Sequence, residues 1–220
     1  DNNARIIDPA YGSSTPVAPR SVIILFIALL FGLATPFGII YLMEILDTTI
    51  RGRKDIEDKL SIPFLGDIPE YHGSTRQGSV VVRDNGRDSV SEAFRLIRSN
   101  LGFMSVKSGK LQIIMVTSSN PHAGKTFVTT NLAMTLALAD KKVVIVDLDL
   151  RRRTLSKQMG QRDNRNGVSG YISGTIANLN DIVFQSGLHE NLDIIFAGLQ
   201  PPNPAEMLLS EKFDEFMADL

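Results

Sequence analysis

The chain has 220 residues, with 23 lysines and arginines against 24 aspartates and glutamates, and a formal net charge of −1. That length holds one substantial domain plus extensions, and the balanced charge gives no global footprint for nucleic acid. Cysteine is absent, which excludes a disulfide framework and any thiolate metal site.

Residues 1–20 carry Pro9, Pro16 and Pro19 among small polar residues and are expected to run extended. The chain opens on Asp1 rather than methionine, so we expect it to be part of a longer protein. Ser21 to Met43 then holds no charged residue. As a helix this stretch would extend about 35 Å, more than the roughly 30 Å of a bilayer's hydrocarbon core. Gly32, Pro36 and Gly38 interrupt it, but spanning helices tolerate such residues. It is too long for a signal-peptide core, and no small-residue cleavage site follows. A transmembrane helix over residues 21–44 is expected. Arg51, Arg53, Lys54 and Lys59 follow it, whereas Arg5 and Arg20 precede it. The positive-inside tendency therefore places the chain after about residue 45 in the cytoplasm and residues 1–20 outside it.

Residues 45–88 are polar and rich in turn formers, as expected of a linker. A short helix near Lys54–Leu60 is expected, after which Pro63, Gly66 and Pro69 break the chain. Ile62, Phe64, Leu65 and Ile68 are expected to pack locally on the next domain. Gln77–Arg87 has little apolar content beyond Val80–Val82 and reads as mobile. A helix is predicted from Ser89 or Ser91, either serine serving as N-cap, with Glu92 in its first turn. Ala93, Leu96, Ile97 and Leu101 supply its apolar face. Glu92, Arg95 and Arg98 recur at three-residue spacing and share one face. By themselves they read as a solvated face with local ion pairs.

Leu111–Thr117 is an apolar run bounded by polar residues and predicts a buried parallel strand. Ser118-Ser119-Asn120-Pro121-His122-Ala123-Gly124-Lys125-Thr126 follows at once, and Thr126–Ala139 predicts a helix with Val128, Leu132, Leu136 and Ala139 on one face. Strand, loop and helix together match a phosphate-binding loop, although Ser119 replaces the first glycine of G-x-x-x-x-G-K-[ST]. Gly124 lets the backbone approach a phosphate, and loop amides with the helix N-terminus supply positive charge. Lys125 would reach the β and γ phosphates and Thr126 would place its hydroxyl on magnesium. His122 reads as an exposed loop residue. Val143–Val146 predicts a second buried strand, with Asp147 and Asp149 at its carboxyl end, where α/β sheets bind ligands. These carboxylates suit Mg2+ or its waters, and one of them suits proton acceptance from a hydroxyl nucleophile. ATP or GTP with Mg2+ is the expected ligand.

These residues resemble the bacterial tyrosine autokinases, or BY-kinases, joined to polysaccharide co-polymerases. Thr117–Phe127 is similar to their Walker A segment. Val143 to Arg151, with Asp147-Leu148-Asp149-Leu150-Arg151, is similar to their second, A-prime motif. Glu92-x-x-Arg95-x-x-Arg98 matches their E-x-x-R-x-x-R helix. Pro16–Gly38 resembles the second transmembrane region of the chain-length-regulator domain, so residues 1–20 would be that domain's extracytoplasmic end. Asp47–Ile50 and Ile62–Pro69 look like the connection into the kinase. Asn191–Gly198 and Pro201–Leu208 are similar to a later strand and helix start.

The resemblance implies a P-loop NTPase-like, doubly wound parallel α/β sheet, incomplete here, with residues 89–220 forming the N-terminal part of the kinase domain. It implies an ATP- and Mg2+-dependent protein-tyrosine autokinase in the cell inner membrane that regulates exopolysaccharide or capsule polymerisation and export. Lys125, Asp147 and Asp149 would be catalytic. Ser119, Asn120, Pro121, His122, Ala123, Gly124, Lys125, Thr126, Phe127 and Arg151 would contact nucleotide, and Thr126, Asp147 and Asp149 would serve the metal. Glu92, Arg95 and Arg98 would form an oligomer interface in a ring of kinase domains, which overrides the solvated-face reading. The export machinery and a tyrosine phosphatase would be partners, with no nucleic acid. The family's Walker B strand would follow around Glu211–Leu220. Its C-terminal tyrosine cluster has no counterpart among Tyr11, Tyr41, Tyr71 and Tyr171. The stretch by itself is therefore expected to bind nucleotide weakly and to be inactive. Two rivals stand beside this reading. One is a partitioning-type ATPase switch, whose signature lysine would fall at Asn120. The other is a structural co-polymerase with a vestigial nucleotide site.

Overall fold

The computed structural model describes residues 12, 18–47, 49, 52–57, 61–73, 80–105, 112–160 and 166–220. The expectations for residues 1–11 and 13–17, for Arg51, Lys59 and Leu60, for residues 77–79 and for Leu111 lie outside them. The chain divides into two compact units, Asp1–Ser61 and Ile62–Leu220.

The first unit contains α1 (Ser21–Leu46) and the short α2 (Arg53–Glu57). Helix α1 is long and apolar enough to cross a membrane, and none of its residues is buried. An apolar helix suits lipid because it satisfies most of its backbone polar groups within itself. Pro36 removes one backbone donor inside α1. Next to it, the Thr35 hydroxyl donates to the Phe31 carbonyl at 2.6 Å. The helix runs two residues beyond the expected Glu44 and takes that residue in.

The second unit is an α/β layer structure. Its elements are α3 (Ser89–Ser105), α4 (Lys125–Ala137), β1 (Val143–Val146), α5 (Thr154–Gln158), α6 (Val168–Ile172), a 3-10 turn (Leu179–Ile182), β2 (Val183–Gln185), β3 (Leu192–Ile195), α7 (Pro204–Leu208) and α8 (Glu211–Asp219). The strands lie in the order β1-β3-β2. β1 and β3 are parallel, with Val143 opposite Leu192 and Val146 opposite Ile195. β2 adds an antiparallel edge, with Val183 opposite Ile195.

The pleat divides the core in two. Ile145, Leu192 and Ile194 pack with Phe94 and Ile97 of α3 and with Leu132, Ala133 and Ala137 of α4. On the other side Ile195 joins Val168, Tyr171, Ile172, Ile182 and Phe216 of α8. Adjacent residues of one strand thus serve opposite faces, as the period of two requires. Both faces carry helices, so the strands are continuous apolar runs. Phe94 and Phe216 are fully buried, each contributing roughly 1.5–3 kcal/mol by removal from water.

Four details differ from expectation. Residues 112–118 form no strand, and Ile113, Ile114 and Met115 are exposed, Met115 by 84%. An apolar run supplies strand propensity, but a strand also needs a ladder partner. Among the described residues the ladder of β1 goes to β3, and Val144 is exposed. Neither serine caps α3. Asp88 does so, accepting the Ser91 amide at 2.9 Å and the Ser91 hydroxyl at 2.7 Å. The segment read as a mobile linker places Val81 and Val82 in the core. Of the apolar residues after Ser61, Ile68 packs on that core while Ile62 stays exposed.

Candidate functional site

Residues 117–124 connect the irregular segment to α4 as a loop of bends and turns. Two positions are left-handed, His122 at φ 63° and Gly124 at φ 86°. A Cβ on Gly124 would meet open space, so backbone conformation, not crowding, is what calls for glycine there. Gly124 is also the N-cap of α4, and no side chain among the described residues caps that helix. Its first-turn amides are therefore disposed to receive an anion, which the helix dipole favours. Inside the loop the Lys125 ammonium donates to Ser118 Oγ at 2.8 Å, and that hydroxyl donates to the Asn120 carbonyl at 2.8 Å.

The helix that follows is anchored from within. Thr129 Oγ1 donates to the Lys125 carbonyl at 2.9 Å and Thr130 Oγ1 to the Thr126 carbonyl at 2.9 Å. The Phe127 ring packs on Phe94 at 6.0 Å between centroids, which leaves its backbone as the part to meet a phosphate. Sequence predicts one apolar face for this helix, yet Thr130, Asn131 and Thr135 are buried as well.

At the end of β1 the Asp147 amide donates to the Ile195 carbonyl at 2.9 Å, extending the parallel ladder by one bond. Asp147 is 7% exposed. Its Oδ1 accepts the Asp149 amide at 3.1 Å, whereas its Oδ2 is buried with no hydrogen-bond partner among the described residues. Burial raises its pKa from 3.8 to about 6, reinforced by the negative charge of Asp149 and opposed by the Asp149 amide and by the amide and hydroxyl of nearby Ser156, which lie outside strict hydrogen-bond geometry. Asp149 is used differently. Its Oδ1 accepts the Arg152 amide at 3.0 Å and its Oδ2 the Thr154 hydroxyl at 3.2 Å, so it ties the turn after β1 together.

The two halves of the site meet through Arg152 and His122. Arg152 Nη1 lies 3.3 Å from His122 Nε2, joining the turn after Asp149 to the apex of the loop. Arg151 is exposed, and Arg153, left-handed at φ 52°, donates from Nη1 to the Gly198 carbonyl at 3.2 Å. An orphaned buried carboxylate oxygen is a hard donor that suits Mg2+. No group of three His, Asp or Glu capable of holding a metal occurs among the described residues. Mg2+ is usually held by one or two carboxylates together with substrate phosphates. Asp147 offers such a donor at the end of β1, and Asp149 accepts from the turn beside it.

The third group lies on α3. Arg95 contacts Glu92 and donates from Nη2 to the Gly86 carbonyl at 2.6 Å. Arg98 Nη1 donates to the Thr135 carbonyl of α4 at 2.9 Å. Both arginines thus have partners within this chain, while Glu92 and Leu96 are exposed on the same helix. Sequence reasoning placed Ser118 in the loop but gave it no partner, gave Arg152 no role, and missed Asn131. A polar residue within an apolar helix marks Asn131. Nothing in spacing marks the pairing of Arg152 with His122.

The family described as CbiA, the CobQ/CobB/MinD/ParA nucleotide binding domain, matches residues 114–213. The chain is 29% identical over 234 residues to the tyrosine-protein kinase etk of Escherichia coli strain K12, an alignment covering 98% of this chain and 32% of that protein. It thus spans about a third of the length of the curated relatives it matches. The solved kinase domain of that Escherichia coli tyrosine kinase superposes with a TM-score of 0.67 at 28% identity, covering 77% of this chain and 68% of that one. The crystal structure titled chimerical protein CapA2B2 superposes with a TM-score of 0.64 at 31% identity, covering 76% and 69%.

Proposed function

We propose, for a chain that belongs to the bacterial tyrosine-kinase family, that the protein is an ATP-dependent tyrosine autokinase of the inner membrane that regulates exopolysaccharide or capsule polymerisation and export. The observation that supports this reading is the loop Gly124-Lys125-Thr126, whose helix has no side-chain cap, brought against the turn after the buried Asp147 by the contact of Arg152 with His122. Helix α1 spans the bilayer in this reading, and residues after about 45 are cytoplasmic.

Lys125 leaves Ser118 to neutralise the β and γ phosphates, and the first turn of α4 binds their oxygens through its amides. Thr126 and Asp147 would hold Mg2+, which would supply charge neutralisation. A tyrosine hydroxyl oxygen bonds to the γ phosphorus as the bond from that phosphorus to the β,γ-bridging oxygen breaks and ADP leaves. Asp147, the buried carboxylate at the end of β1, is the proposed acceptor of the tyrosine proton. Catalysis rests on positioning and charge, as phosphoryl transfer does generally. Glu92, Arg95 and Arg98 are proposed to form the interface of a homo-oligomer. The export machinery and a tyrosine phosphatase are the proposed partners.

The matched nucleotide-binding family also names MinD and ParA, which keeps an ATPase switch in view. Asn120 at the position of that class's signature lysine favours the kinase. Phosphotyrosine detection on the protein in its native membrane separates the two. Signal that needs ATP and disappears in Lys125→Met, together with impaired polymer export, supports the kinase. Normal export by Lys125→Met would oppose it.

A further inference from the structure

Asn131 sits in the second turn of α4, fully buried. Its Oδ1 accepts two consecutive backbone amides from a segment fifty residues earlier, Val81 at 2.8 Å and Val82 at 3.1 Å. Its Nδ2 donates to the Phe127 carbonyl at 2.8 Å. Phe127 directly follows Thr126, and Thr130 Oγ1 donates to the Thr126 carbonyl at 2.9 Å with the Phe127 carbonyl at 3.2 Å. One carboxamide therefore joins residues 80–82 to the turn of α4 that carries Lys125 and Thr126.

The chemistry is specific to an amide side chain. A single oxygen must accept two N–H groups while the other end donates to a carbonyl, and among side chains of this size only asparagine offers both functions in neutral form. Val81 and Val82 are themselves buried, so their amides have no water to turn to if Asn131 withdraws. The first turn of α4 has the opposite need. It starts from a left-handed Gly124 and no described side chain caps it, so a bound phosphate would complete it.

We propose that Asn131 is a positioning residue that couples the docking of Val81–Val82 to occupancy of the nucleotide loop. A phosphate that orders the first turn of α4 fixes the Phe127 carbonyl, which fixes the carboxamide, which holds the two valine amides. By reciprocity, release of 80–82 loosens the turn and weakens nucleotide binding by the same factor. Residues 80–82 lie in the sequence between α1 and the nucleotide loop, so the segment is a route by which events before it bear on the site. The coupling rests on the nucleotide-binding reading of that loop.

Hydrogen exchange of the full protein in a membrane mimetic tests it, with and without magnesium and a non-hydrolysable ATP analogue. In the wild type the analogue should slow exchange of the Val81 and Val82 amides by about tenfold, within the usual range of coupling between sites. Asn131→Ala should abolish that dependence and weaken analogue binding by a similar factor. Leu132→Ala, at a buried neighbour in the same core, should lower stability yet keep the dependence. Analogue binding to the wild type with unchanged exchange at Val81 and Val82 would overturn the coupling while leaving the nucleotide site intact, whatever becomes of the variants. No analogue binding by the wild type would overturn the nucleotide site and the coupling with it.

Discussion

The Lys125 ammonium reaches back across the loop to the Ser118 hydroxyl at 2.8 Å. The lysine is thus held ready in the loop by its first serine, a partner it can exchange for a phosphate oxygen. Lys125→Met should weaken nucleotide binding by on the order of 100-fold, because a charge-assisted contact to phosphate is lost. Ser118→Ala should change it by less than about tenfold, since one hydroxyl hydrogen bond contributes about 1 kcal/mol. Titration with a fluorescent ATP analogue measures both. Equal losses would mean that Ser118 meets the nucleotide itself.

Asp147 should set part of the pH dependence of stability. Its pKa is about 6 folded against 3.8 for the ordinary carboxyl, so the folded state holds the proton more tightly. The stability it contributes is full below about pH 4 and is lost as pH rises through 6. Asp147→Asn should flatten the stability profile between pH 4 and 6 and raise stability at pH 8 by about 1–2 kcal/mol. Chemical unfolding across pH measures this. The same variant should lose phosphoryl transfer, a trade between stability and function. A variant less stable at pH 8 would contradict the buried-charge account.

Arg98 ties α3 to α4 through the Thr135 carbonyl. Arg98→Ala should lower stability by about 1.5–3 kcal/mol in chemical unfolding, the range for a hydrogen bond from a charged group. If the helix is also an oligomer interface, changing Arg95 and Arg98 together should shift the protein toward monomers on a sizing column. Reduced stability with an unaltered elution profile would assign both arginines to internal ties alone.

Much of the site is legible in the sequence because it is local. Gly124-Lys125-Thr126 next to an apolar run, and Asp147 at the end of Val143–Val146, specify a phosphate loop and a strand-end carboxylate by adjacency. Composition likewise exposes α1, since an uncharged stretch of that length has few other uses. What sequence conceals is pairing at a distance. The run before the loop has strand composition, yet Met115 lies exposed without a ladder. Asp149 matches Asp147 in motif, but the Thr154 hydroxyl and the Arg152 amide take its oxygens for the turn. Val81 and Val82 look like linker until Asn131 is found beneath them. Each of these facts depends on a partner many residues away, or on which of two like side chains finds one.

The central claim is that this site moves a phosphoryl group to tyrosine. The most direct measurement incubates the protein, in native membranes, with γ-labelled ATP and magnesium and partitions the label between tyrosine and free phosphate. The expected result is label on tyrosine in the wild type, and on neither in Lys125→Met. Label released only as free phosphate, with none on tyrosine, would contradict the claim and make the protein an ATPase.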